Sequence, residues 1–308
     1  METPVALFIF NRPQTTAQVF AAIRQAQPTQ LLVVADGARA DRPTDVELCA
    51  ATRAIIEQVD WPCQVQTNYA DTNLGCMQRM ASGLNWVFSL VETAIILEDD
   101  CLPHPSFFAF CTELLIKYQD DQRIGMISGQ NSLRGNRRSA DSYYFAQIPY
   151  IWGWATWRRS WQQYDFAMSN WPAVRDGGWL RDIFKSNQVA AAWQSTFEHN
   201  YAGFFDAWDY QLTLTSLINN WLNPTANVNL VSNIGFGAGA TNTSETDSVF
   251  ANLQAEAINF PLIHPQFLVA DTISEARVFR DKFQVPITLK IDRRIRQYWR
   301  QRAKLPEN

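Results

Sequence analysis

The 308-residue chain is short of the residues on which several kinds of function depend. Its three histidines, His104, His199 and His264, are too few for a zinc centre built from several imidazoles. Five cysteines, an odd number with no CxxC pair, exclude a disulfide scaffold and favour reduced thiols. Charged residues make up only 18% of the chain, and no apolar run approaches the ~20 residues of a membrane span. The 13 glycines and 14 prolines are scattered without period, against collagen-like or low-complexity architecture. No basic leader precedes the first apolar run, so a cytoplasmic location is expected.

Apolar surface is what the chain has in quantity. At 47% hydrophobic it can build a large core, which excludes a disordered tail protein. The net charge of −4 conceals an asymmetry: residues 290–304 carry seven basic groups against Asp292, leaving −10 for the rest. A body that acidic is not a nucleic-acid binder.

Val5-Ala-Leu-Phe-Ile-Phe10 and Leu31-Leu-Val-Val-Ala35 are short continuous apolar runs, the mark of strands buried on both faces. Residues 63–67 and 94–97 predict two more strands, and 15–25, 47–59 and 78–90 predict the helices between them. That alternation implies an α/β fold with a Rossmann-like parallel sheet, whose ligands lie beyond the carboxyl ends of the strands. Arg12, Asp36 and the run Glu98-Asp99-Asp100 all follow directly on predicted strands. Further on, a helix is expected at 107–118, strands at 125–128 and 228–239, and nine of the twelve tryptophans fall between Trp152 and Trp221.

Three adjacent carboxylates at the mouth of a buried strand repel one another, and a divalent cation relieves that cost. Mg²⁺ or Mn²⁺ held by one or two carboxylates and substrate phosphates is the expected form; a solvated acidic turn is the bland alternative. Asp36 could accept a base N–H or simply make a turn, and Arg12 could face a base carbonyl, a phosphate or a surface acid. Trp152 and Trp154 offer indole faces to an acceptor sugar, although most of the tryptophans must be core. In Asp206-Ala-Trp-Asp209 a carboxylate could deprotonate an acceptor hydroxyl, or either aspartate could cap a helix. Asn233-Ile-Gly-Phe-Gly237 and Gly239 could approach a diphosphate through backbone amides. In 290–304 the apolar positions oppose the arginines at helical spacing, fitting either peripheral attachment to anionic lipid or a solvated terminal helix.

Taken together, several segments resemble the bacterial family-2-type glycosyltransferases. These are Pro4-Val-Ala-Leu-Phe-Ile-Phe-Asn-Arg-Pro13, Val34-Ala-Asp-Gly-Ala-Arg39, Asn73-Leu-Gly-Cys76, Ile95-Ile-Leu-Glu-Asp-Asp100 and Trp152-Gly-Trp-Ala-Thr-Trp-Arg158. Trp208-Asp-Tyr-Gln211, the segment from Asn229 to Gly237 and Phe260-Pro-Leu-Ile-His264-Pro265 continue the likeness. A more distant similarity is to the Golgi N-acetylglucosaminyltransferase that begins complex N-glycans. The resemblance implies a GT-A fold and a UDP-sugar donor. It places Arg12, Asp36 and Arg79 at the uracil, Asp99 at the ribose, Asp100 on the metal and Glu98 beside the sugar or acceptor. Asp209 would be the base of an inverting reaction, and Trp152, Trp154 and Trp208 would meet a glycan or lipid-linked acceptor. Where that group tends to carry a histidine after Ala-Thr, this chain has Asn242.

The expected organisation is a GT-A domain over 1–240, with a nucleotide-sugar half (1–110) and a Trp-rich acceptor half (111–240). Residues 241–308 would form a C-terminal extension ending in a basic amphipathic helix. The expected function is glycosyl transfer in surface glycan synthesis. A silent carbohydrate-binding module and a sugar-1-phosphate nucleotidyltransferase remain open. The latter class places a glycine-rich phosphate loop after its first strand, and Asn11-Arg-Pro-Gln-Thr-Thr16 contains no glycine.

Overall fold

A computed structural model describes residues 1–236 and 253–283. The first third alternates strand and helix: β1 (Val5–Ile9), α1 (Pro13–Ala26), β2 (Gln30–Ala35), α2 (Thr44–Ala54), β3 (Gln64–Tyr69), α3 (Cys76–Leu90) and β4 (Thr93–Glu98). Then follow β5 (Cys101–Pro103), α4 (Ser106–Lys117), β6 (Met126–Ser128), β7 (Tyr143–Ala146) and β8 (Trp154–Trp157). Short helices α5 (Arg158–Trp161), α6 (Trp171–Asp176) and α7 (Leu180–Ile183) precede α8 (Asn187–Tyr201) and α9 (Asp209–Ile218). β9 (Asn223–Ala226), β10 (Val231–Asn233) and α10 (Thr272–Phe283) complete the described elements.

Eight strands form one sheet in the order β3-β2-β1-β4-β8-β6-β9-β7. β1 to β4 are parallel, as their uninterrupted apolar runs require. β8 inserts antiparallel between β4 and β6, while β7 pairs antiparallel with β9 at the far edge. This is the expected α/β architecture, a Rossmann-like parallel half merged with a Trp-rich half.

Strand alternation divides the core into two layers. Leu7, Val33 and Leu97 face α1 and α4, meeting Val19, Ile23, Phe110 and Leu114. Phe8, Val34 and Ile96 face the opposite way, toward Leu84 and Val87 of α3 and toward Trp154, Trp161 and Trp208. Fixed φ suits Pro13 to the first turn of α1, which therefore starts directly after Arg12. The short strand β5, absent from the sequence reading, pairs antiparallel with β10 and sets Asn233 opposite Cys101.

Residues 253–283 are not set apart from the body. Ile258 and Leu262 belong to the main core, and Ala270 bridges Phe145 at the sheet edge. The basic stretch 290–304, Gly237, Gly239 and Asn242 lie outside the described residues. Among the described residues, no helix is long and apolar enough to cross a membrane.

Candidate functional site

A cavity of about 940 Å³ opens at the carboxyl ends of β1, β2 and β4, walled on its other side by residues 148–152 and 204–210. Parallel register decides which strand ends meet there: Phe8 lies opposite Glu98 and Ile9 opposite Ala35. The residues that follow, Arg12, Asp36 and Asp99, therefore share one edge.

Asp99 and Asp100 are held by the first strand and its exit. The Phe10 N–H donates to Asp99 Oδ2 at 3.1 Å, and Arg12 Nη1 donates to Asp100 Oδ2 at 2.8 Å, with Asp99 Oδ1 3.6 Å away. A third wall closes from β10. Ile234 N–H donates to the Asp100 carbonyl at 2.8 Å, and Asn233 Nδ2 approaches Asp100 Oδ1 at 3.5 Å. Gly235 comes so close that a Cβ there would overlap the Asp100 carboxylate. The backbone of residues 233–235 is thus directed at Asp100.

Glu98 is half-buried and points to the α3 side of the sheet. Burial, followed by the charges of Asp100, Asp99 and Asp209, pushes its carboxyl well above the ordinary range. Asp99 is pushed up to about 7 by burial and by Asp100, against the pull of Arg12 and the Phe10 N–H. Asp209 is the first residue of α9, where the helix dipole favours an anion, and it lines the cavity across from the triplet. Four carboxylates thus converge with the Arg12 guanidinium among them.

Asp36 is part of the cavity wall, but its oxygens are already engaged. Oδ1 accepts from the Gly37 and Leu74 amides (2.8 and 2.9 Å), and Oδ2 from Asn73 Nδ2 and the Gly75 amide (2.9 and 3.2 Å). A carboxylate with four donors has no acceptor capacity left for a base, so Asp36 holds the loop at 73–75. Arg79 is likewise committed. Its guanidinium donates to the Ala35 carbonyl at 3.1 Å and to the Asn68 carbonyl and Oδ1, which tie together the ends of β2 and β3. Both residues position the site.

The two aspartates of Asp206-Ala-Trp-Asp209 part company. Asp206 does not cap α9; its carboxylate accepts from the Cys76 and Met77 amides at 2.9 and 2.8 Å, capping α3. That helix follows Gly75 and has no cap or acidic first turn of its own. The backbone amides of four consecutive residues, Leu74 to Met77, are therefore satisfied by two carboxylates from different parts of the chain.

Of the three tryptophans expected at the acceptor, Trp152 alone keeps partial exposure, set edge-on to Phe236 at 5.7 Å. Trp208 is 2% exposed and contributes only to the cavity wall. Trp154 is a correction: it is 1% exposed, stacks on Trp208 at 5.6 Å and belongs to the core of β8. An indole that removes ~150–250 Å² from water gains roughly 4–6 kcal/mol from area alone, so burial wins over display. Sequence reading missed the aromatics that do reach the rim, Phe204 and Phe205, which are 75% and 38% exposed. Their signal was an adjacent aromatic pair with no helical or strand period around it. It also missed Arg39, which grips buried Asp45 through Nε and Nη2 (2.5 and 3.0 Å) and holds that carboxyl down at about 2.

Carboxylate oxygens suit a hard cation such as Mg²⁺ or Mn²⁺. Among the described residues no group of three or more acidic, histidine or cysteine ligands gathers to cage an ion. Of these carboxylates Asp100, whose Oδ2 accepts from Arg12, is the one that could contribute a single ligand to a cation shared with substrate phosphates and water.

No family model and no curated protein matches this chain. Among solved structures, it is similar to a protein from Desulfovibrio desulfuricans G20 described as a nucleotide-diphospho-sugar transferase (13% identity, TM-score 0.28). That alignment takes in 52% of this chain, which spans 65% of the other protein's length. It is also similar to a UDP-glucose pyrophosphorylase complexed with UDP-glucose (13% identity, TM-score 0.27; 53% of this chain, 71% of that one). A third is mouse xyloside xylosyltransferase 1 (9% identity, TM-score 0.34; 70% of this chain, 81% of that one). With every one of these TM-scores below 0.5, the chemistry of the cavity is read from its own residues.

Proposed function

We propose that the cavity binds a nucleotide-diphosphate sugar, with a UDP-sugar as the expected donor, and transfers its glycosyl group to an acceptor hydroxyl with inversion. The observation that carries this reading is the meeting of two unlike sets of groups across one space. Arg12, Asp99 and Asp100 lie at the parallel strand ends, and Asp209 stands opposite on α9. The first set suits a diphosphate and its cation, and the second suits a base on the acceptor side.

In the reaction, the acceptor oxygen attacks the anomeric carbon as the bond from that carbon to the diphosphate breaks. Asp209 takes the acceptor proton, and the nucleoside diphosphate leaves. Arg12 balances negative charge beside Asp99 and Asp100. Glu98, which feels the charges of Asp99, Asp100 and Asp209, faces the sugar, and Asp36 and Arg79 keep the loop and strand ends of the donor wall in place. Asp100 would hold a Mg²⁺ or Mn²⁺ ion, which would supply electrostatic stabilisation of the departing diphosphate. Trp152 and Trp208, both in the cavity lining, contribute to the wall that a glycan or lipid-linked acceptor meets, as in surface glycan synthesis on the cytoplasmic side.

The nucleotidyltransferase alternative finds little support at β1, because α1 begins at Pro13 with no glycine between strand and helix to cradle a triphosphate. A panel of nucleotide sugars, titrated by calorimetry and scored for nucleoside diphosphate release with Mn²⁺, Mg²⁺ or chelator, tests the proposal. One donor should bind, and Asp209→Asn should keep that binding while transfer falls ~10²–10⁴-fold. Asp100→Ala should lose the metal dependence. A panel without any binding partner would favour the silent carbohydrate module, and pyrophosphate release from UTP plus a sugar-1-phosphate would favour the nucleotidyltransferase.

A further inference from the structure

Beside the cavity, the loop before β7 and the start of α10 form a cationic face on an otherwise acidic protein. The loop turns at residues 133–136, where the Asn136 amide donates to the Leu133 carbonyl at 2.9 Å. Arg134 and Gly135 both have positive φ (+51° and +80°) at the centre of this turn. Arginine rarely adopts that backbone conformation, and here it does so at an exposed tip. Arg137 and Arg138 follow, also exposed.

Two contacts lay this loop on α10. Arg277 Nη1 donates to the Asn136 carbonyl at 3.0 Å, and Arg138 reaches Asp271 at 3.4 Å. Arg280, one turn beyond Arg277, is exposed. Two acids of the same segment, Asp271 and Glu275, face inward. Asp271 is 8% exposed and accepts from the Ser274 amide and hydroxyl, and Glu275 accepts from the Gln147 and Ile148 amides at 2.7 and 2.9 Å. Solvent therefore meets five guanidinium groups there, with half-buried Asp141 as the nearby acid on the loop.

Aliphatic side chains border these cations. Val269 and Ile273, two residues either side of Asp271, are 68% and 49% exposed. Cations interleaved with exposed aliphatics are the chemistry of a surface that settles on an anionic bilayer, where guanidinium meets phosphate and aliphatic groups enter the headgroup boundary. A nucleic-acid groove would interleave aromatic side chains with the arginines, whereas the run Arg134 to Arg138 holds one amide, Asn136, and no aromatic ring on which a base could stack.

We infer that the face made by Arg134, Arg137, Arg138, Arg277 and Arg280, with Val269 and Ile273, docks the protein on an anionic lipid surface. The face adjoins the catalytic cavity through Val278 of α10, which lines that cavity. Docking therefore brings the cavity wall near the membrane, where a lipid-linked molecule is met in two dimensions. The inference does not depend on what the cavity transfers.

Co-sedimentation of the full chain with phosphatidylglycerol-rich and pure phosphatidylcholine vesicles tests it, each at low and high salt. The wild type should bind the anionic vesicles alone and release with salt. The triple variant Arg134→Glu, Arg137→Glu, Arg280→Glu should lose about a hundred-fold in partition while its melting temperature is unchanged. Val269→Ser with Ile273→Ser should lose several-fold. If the triple variant melts early, Arg280→Glu alone, on an exposed helix position, should still show a several-fold loss. Three results overturn the proposal. These are a wild type indifferent to phosphatidylglycerol, full binding by the charge-reversed variants (which would move attachment to 290–304), and binding erased by millimolar inorganic phosphate at constant ionic strength. Retention on heparin with no vesicle binding would likewise assign the face to another polyanion.

Discussion

The two halves of the sheet handle their costly groups in opposite ways. On the parallel side, β1 to β4 hold a plain aliphatic core and put charge only where the strands stop, so almost every polar side chain at the edge bears on the cavity. On the antiparallel side, β6 to β9 and the helices after them spend large aromatics on packing, and Trp154, Trp171 and Trp208 are all fully buried. A residue type is informative about function only where the fold has no other use for it. Carboxylates at a buried strand end have little structural use, whereas an indole nearly always does.

Substitution within one motif breaks this comparison most severely. Trp154→Ala should cost ~3–5 kcal/mol of stability, since it empties the layer between β8 and α9, while Trp152→Ala should barely change the unfolding midpoint. Chemical denaturation of both variants checks this; equal losses would mean that the second half has no division between core and rim.

The pH dependence of stability sharpens the other side. Asp99 sits at about 7, far above its ordinary range, so the folded state keeps a proton that the unfolded chain releases. Stability should therefore fall as pH rises from about 4 to about 7 and level off above that. Asp99→Asn, which keeps an acceptor for the Phe10 N–H, should flatten that slope. Thermal melts across the range, without divalent ions, would show a wild type as flat as the variant if the carboxylate cluster were fully solvated.

The smallest effect concerns the seam between the halves. Asp206→Ala removes the carboxylate that accepts from the Cys76 and Met77 amides and should cost about 1 kcal/mol. Asp206→Asn should recover part of it. Melting midpoints at matched pH measure both, and a neutral Asp206→Ala would mean that water caps α3 equally well.

How far the sequence was legible follows the same division. The strands of the parallel half and the positions of Arg12, Glu98, Asp99 and Asp100 were readable because period and hydrophobicity change abruptly at each strand end. Asp209 was readable as a candidate but not separable from Asp206, since a cap and a base are the same side chain until its partner is known. That partner, the start of α3, lies about 130 residues away in sequence, and no local pattern points to it. For Asp36 and Arg79, sequence points to the strand ends but does not count the donors and acceptors that already surround them. β8 has no counterpart among the expected strands because its four residues, Trp154 to Trp157, show no alternation; they are buried on both faces.

The strand order has a consequence in time. β4 is complete at Glu98, yet its second edge is covered only by β8, which begins at Trp154. A ribosome adding roughly 5–20 residues per second needs several seconds to cross that interval. Throughout it, the apolar ladder from Ala94 to Leu97 offers unpaired backbone to any strand that arrives. The step most exposed to mispairing therefore falls midway through translation, before the Trp-rich half exists.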